Sequence, residues 1–136
     1  MTTITFNQHA DLQAAITHHQ RRIDAKAGEV RQRFARDWLI DEEYTLAANQ
    51  AQAYVDNGYS GEVPETVQAW ADAAGMSVQN AADDILETRD AYNTALEAVR
   101  RIRLTAKKAV AQAATVRAAY DIAEQAVTDL DAVTPP

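Results

Sequence analysis

From Ala81 to Leu130, apolar and small residues recur at spacings that alternate between four and three, and this repeat constrains the fold more than any other feature. The set is Ala81, Ile85, Thr88, Tyr92, Ala95, Val99, Ile102, Ala106, Ala109, Ala113, Val116, Tyr120, Ala123, Val127 and Leu130, with Thr88 its one polar interruption. A mean period of 3.5 keeps such residues on one side of an α-helix and suits left-handed packing of the coiled-coil kind. Ser77 is placed to cap the start, so one helix is predicted over 77–131. At 1.5 Å per residue it would be about 80 Å long, well beyond the diameter of a compact domain of this size. Either the helix folds back near Lys107-Lys108 or it projects toward other chains. Ile85, Tyr92, Val99, Ile102, Val116, Tyr120 and Val127 are the predicted helix-packing anchors of this seam.

The first half reads as a smaller helical assembly. Thr3-Ile4-Thr5-Phe6 alternates polar and apolar residues, which predicts a short edge strand, with Asn7 capping a helix from about Gln8 to Phe34. In that helix Leu12, Ile16, Ile23, Ala27, Val30 and Phe34 form one apolar stripe, with Arg21, Arg22, Lys26, Arg31 and Arg33 mostly outside it. Gly28 lies inside the pattern and is expected to mark a close crossing by another helix. A second helix is placed from about Glu42 to Asp56, with Asp41-Glu42-Glu43 suiting its positive N-terminal end and Asn57-Gly58 stopping it. Pro64 opens a short helix that runs to Ala74 with Val67, Trp70 and Ala74 on its buried side, and Gly75 closes it. Phe34, Trp38, Tyr44 and Trp70 are the predicted core of this small bundle, and Tyr54 is expected among its core rings rather than in a ligand box. The expectation is an all-α helical bundle with one long C-terminal coiled-coil-like helix: strand, helix and small helical subdomain in 1–76, the seam in 77–131, and a polar tail in 132–136.

Charge and residue types exclude several functions. A net charge of −7 repels a nucleic-acid backbone or an anionic membrane surface. No stretch approaches the roughly 20 apolar residues of a membrane span, and the start lacks the basic region and apolar run of a signal peptide, so synthesis in a cytoplasm is expected. With no cysteine there is no disulfide framework, thiolate metal site or cysteine nucleophile. His9, His18 and His19 are the only histidines, and the adjacent pair points to different faces of a helix, so a solvated or packing role is expected. Asp37, Asp41, Glu42 and Glu43 could hold a hard cation, but helix N-terminal charge is the simpler account. No assembled nucleophile, base and oxyanion donor is evident, so no enzyme activity, cofactor or metal is expected.

Charges in the last helix are blocked. Asp83, Asp84, Glu87, Asp90 and Glu97 precede Arg100, Arg101, Arg103, Lys107 and Lys108, and Asp121, Glu124, Asp129 and Asp131 follow. The basic run from Arg21 to Arg36 can lie beside the acidic block from Asp83 to Glu97 in an antiparallel pair. A nucleic-acid role for Arg100 to Lys108 is disfavoured by acidic flanks and by the lack of interleaved aromatics.

One resemblance extends this reading. Arg33-Phe34-Ala35-Arg36 and Trp38-Leu39-Ile40 lead to Tyr44 and a helix with Ala47, Ala51 and Ala53; a loop with Tyr59 and Pro64 follows, then Ala73-Ala74-Gly75-Met76-Ser77. The next helix carries Ala81-Ala82, Ile85 and Tyr92 and closes on Arg101-Ile102-Arg103 and Ala106-Lys107-Lys108-Ala109. In this order of features, 31–113 resembles a helical region of tailed-bacteriophage tail proteins, including tail-fibre and fibre-associated proteins. The resemblance implies a non-catalytic virion component in the tail, acting by helix packing with other tail proteins in a homo- or hetero-oligomer. A small acidic inhibitor or adaptor that binds a basic host protein is the alternative reading.

Overall fold

The apolar stripe read from the first long helix is the one that becomes buried. In a computed structural model, which describes the backbone of residues 3–136 and the side chains of 11–136, α1 spans Thr3–Gln32. Ile16, Ile23, Ala27, Val30 and Phe34 are buried along one side, and the wide gap between Ile16 and Ile23 is filled by a buried His19. Because α1 begins at Thr3, the expected strand over Thr3–Phe6 is helical instead, and Asn7 lies within the helix rather than capping it. No strand occurs among the described residues, so an isolated extended segment there would leave its backbone groups without partners, whereas a helix pairs them internally. Gly28 does not mark a close crossing: a Cβ there would meet only the Arg31 guanidinium, at an ordinary 3.9 Å.

The long C-terminal helix is two helices. α4 spans Val78–Ala111 and α5 spans Val116–Asp131. Ser77 caps α4 as expected, its hydroxyl accepting from the Asn80 amide at 3.1 Å. At the far end, the Gln112 amide is shared between the Lys108 and Ala109 carbonyls and Ala113 bonds back only three residues to Val110, tightening the last turn. Thr115 then takes an extended backbone and its hydroxyl accepts from the Ala118 amide at 3.0 Å, which caps α5. Neither glycine nor proline marks the break. Thr115→Ala is expected to lower stability by about 1 kcal/mol, with Thr115→Ser close to wild type, in chemical denaturation; equal stability of all three would show that the cap contributes nothing.

The fold-back resets the phase of the repeat. In α5 the buried residues are Ala119, Ala123, Ala126 and Leu130, so the stripe is rotated from the predicted one; Val116 and Tyr120 are exposed and Val127 is half-buried. In α4 the register agrees better: Ala81, Val99 and Ala106 are buried, and Ile85, Tyr92 and Ile102 are half-buried.

Residues 3–34 and Ala95–Pro135 form one compact unit, and Ala35–Thr94 form another, so α4 contributes 78–94 to one and 95–111 to the other. In the first, α1 packs on α5, and Ile23, Val30, Val99, Val110 and Leu130 are fully enclosed. Phe34 is buried in this unit, not in the smaller bundle where it was expected.

The second unit holds α2 (Trp38–Asp56), α3 (Glu65–Ala74) and the first part of α4. α2 starts earlier than Glu42, because the Asp37 carboxylate accepts from the Leu39 amide at 2.8 Å. It stops at Asn57-Gly58, with Gly58 at φ 67°, as expected. Pro64 sits at the N-cap of α3, one position before the helix, and Gly75 ends it at φ 68°. The core consists of Ala51, Tyr54, Val67, Ala71, Ala81 and Ala82. Of the rings expected in this core only Tyr54 lies within it, among small residues: Trp38, Tyr44 and Trp70 are 70%, 51% and 41% exposed, and Ala74 is exposed too. Alanines at the crossing leave no space between the helices for large rings, so the rings lie around its margin.

Candidate functional site

The charges of the first unit are arranged between its helices. Gln20 donates to the Lys107 carbonyl at 3.1 Å, and Asp24 receives Arg103 at 3.3 Å and Lys107 at 2.8 Å, so α1 and α4 run antiparallel. Arg22 pairs with Glu124, while Lys26 (2.9 Å) and Arg33 both reach Asp131, so α1 and α5 run parallel. Of the basic run, Arg22, Lys26 and Arg33 therefore pair with α5 carboxylates rather than with the acidic block from Asp83 to Glu97. The reason is register: the part of α4 beside α1 is its basic stretch, where Arg103 and Lys107 take the Asp24 carboxylate. Burial pushes the Asp24 carboxyl up, but hydrogen bonds from Lys107 and Arg103 outweigh it and hold it below the ordinary range. Arg33 and then Lys26 draw the Asp131 carboxyl down to about 2.

His19 is the buried titratable group of this unit. Its Nδ1 lies 3.0 Å from Arg22 Nη1, and its ring meets Tyr120 of α5 edge-on at 5.8 Å and His18 at 5.0 Å. Burial is the main cause of its lowered pKa; the Arg22 cation and His18 act in the same direction, and Glu124 opposes them. A folded value below the ordinary 6.5 means that the unfolded chain binds more protons at mildly acidic pH. Stability from a neutral His19 is thus complete above 6.5 and is lost as pH falls through that value toward the lowered one. Denaturant midpoints should fall between neutral and mildly acidic pH, and His19→Gln should flatten that slope; an unchanged slope in the variant would assign the pH effect to another group.

In the second unit, indole and phenol groups hold the acidic block of α4. The Tyr59 hydroxyl donates to Asp83, and Trp70 Nε1 donates to Asp84 at 2.8 Å. Arg36 ties the start of α2 to α4: its guanidinium lies between the Tyr44 and Tyr92 rings, 4.2 and 4.3 Å from their centroids, and its Nε donates to Asp41 at 3.0 Å.

What remains uncovered is the first half of α2. Its inward row continues Ala48 and Ala51 toward the N-terminus as Tyr44 and Ile40, which are 51% and 42% exposed. On the opposite side Trp38, Leu39, Glu42, Glu43 and Leu46, spaced three, four and seven apart, share one face. Leu39 and Leu46 are 57% and 51% exposed, and neither Glu42 nor Glu43 enters an ion pair among the described residues. Large apolar side chains gathered on one exposed face mark an interaction surface more often than scattered ones do. Of the residues singled out from the sequence, Trp38 and Tyr44 belong to this region, Trp70 sits at the margin of the small core, and the seven seam residues are divided between the two units. Leu39, Leu46, Glu42 and Glu43 carry a signal in the sequence, a heptad pair of leucines on the side of the helix away from Ala48 and Ala51.

Among the described residues no group of His, Asp or Glu side chains is arranged to hold a metal ion, and no helix is long and apolar enough to cross a membrane. No protein-family model matches the chain, and neither characterised proteins nor solved structures give a match.

Proposed function

We propose that this chain is a non-catalytic structural component of a bacteriophage tail that works by packing helices against neighbouring subunits. The observation that carries the interaction role is the exposed face of α2, where Trp38, Leu39 and Leu46 stand in solvent beside the exposed carboxylates of Glu42 and Glu43. The order of features across 31–113 supports the tail assignment. The acidic-adaptor reading has less support, because much of the acidic block is already engaged within the chain: Asp83 by Tyr59, Asp84 by Trp70, Asp90 by Arg89 and Glu97 by Arg100.

Mass spectrometry of purified virions from the phage that encodes the chain, combined with cross-linking, tests the reading. The chain should be present in tails and cross-linked to tail subunits through α2. Its absence from virions would overturn the assignment.

A further inference from the structure

The α2 face sets the chemistry of its partner. Trp38, Leu39 and Leu46 need an apolar surface, and Glu42 and Glu43, which form no ion pair among the described residues, need basic groups at its rim. Two α2 faces brought together would oppose four exposed carboxylates in a chain that already carries a net charge of −7. A symmetric dimer through α2 is therefore disfavoured.

The complementary surface is present in the same chain. In the first unit, the side of α4 facing solvent carries Arg100, Arg101, Leu104 and Lys108, spaced three, four and seven apart, all exposed. Arg100 meets Glu97 at 3.6 Å, whereas Arg101 and Lys108 form no ion pair among the described residues. Leu104, 41% exposed, lies at the centre of this basic face much as Leu39 and Leu46 do on the acidic one. The two faces are each one helix wide, opposite in charge and apolar at the centre.

We propose that copies of this chain associate head to tail, with the Trp38–Leu39–Leu46 face of α2 in one copy seated on the Arg101–Leu104–Lys108 face of α4 in the next. Such a contact is heterologous: each added copy leaves one acidic and one basic face free, so association continues until a ring closes or a filament grows. This rests on the interaction role proposed for α2, and it names the occupant of that face as a second copy.

Mass measurement of the full chain across concentration and salt tests it. At low ionic strength the mean mass should rise with concentration past that of a dimer, and association should weaken at least about tenfold from about 50 mM to about 500 mM salt. Glu42→Lys/Glu43→Lys and Arg101→Glu/Lys108→Glu, each at exposed positions, should both be monomeric alone and should assemble when mixed, because each then supplies the face the other lacks. Circular dichroism checks that the helices are retained; should the lysine variant lose helicity, Leu39→Ser/Leu46→Ser provides the same test by removing the apolar centre. A wild-type chain that stays monomeric, assembly that survives the α4 reversal, or a mixture that fails to associate would each overturn the proposal. Monomeric protein that is nevertheless found in virions would sink the head-to-tail contact alone, and assembly by a chain absent from virions would sink the tail assignment alone.

Discussion

Ile23→Ala should lower the stability of the first unit by about 2–5 kcal/mol, the range for truncating a buried Ile to Ala where neighbours cannot close the gap. Ile23 is fully buried in the middle of the α1 stripe, between His19 and Ala27, on a helix that packs against α5. Its neighbours explain why the effect should lie well inside that range. Much of the surrounding core is alanine, including Ala27, Ala119, Ala123 and Ala126, and alanines have no rotamers with which to move into a void. Ile23→Val should cost about 1 kcal/mol. Chemical denaturation followed by circular dichroism measures both; a loss below about 1 kcal/mol for the alanine variant would mean that the helices close over the gap.

Tyr54→Ala is expected to have a comparable effect on the second unit, about 3 kcal/mol. Tyr54 is the one large ring within a core otherwise made of Ala51, Val67, Ala71, Ala81 and Ala82, and it meets Tyr59 edge-on at 5.8 Å. Tyr59 holds a left-handed backbone at φ 58° and donates its hydroxyl to Asp83, so loss of the Tyr54 ring also removes support for that turn. Tyr54→Phe should stay near wild type, because it is the ring that fills the core. Trp70→Ala and Trp38→Ala, at exposed positions, should cost far less than Tyr54→Ala; a larger loss at either tryptophan than at Tyr54 would reverse this assignment of the core.

The contrast between Tyr54 and the tryptophans shows what pattern reading could and could not supply. Residue size pointed to Trp38, Tyr44, Tyr54 and Trp70 alike as core rings, but the closeness of three helices depends on which positions are small, and Ala51, Ala71, Ala81 and Ala82 occupy the crossing. Tyr54, three residues after Ala51, shares the inward face of α2, while Trp38 lies on another side of the helix and is exposed. The candidate site was missed for a related reason. Leu39 and Leu46 look like ordinary core leucines until the alanine row is known to face inward.

Helix content, the α1 stripe, the Ser77 cap and the stops at Gly58 and Gly75 could all be read directly, because each depends on interactions within a few residues: backbone bonds one turn apart, side chains on one face, and a cap next to its helix. The break at 112–115, the rotated stripe of α5 and the pairing of Arg22, Lys26 and Arg33 with α5 carboxylates could not. No local residue forbids one continuous helix from Ser77 to Leu130. The chain turns at Thr115 because Ala119, Ala123, Ala126 and Leu130 are buried when α5 lies beside α1, and that burial belongs to residues far apart in the chain. A heptad specifies that a helix has a face to bury; which helix covers it, and in what phase, is decided when distant segments meet.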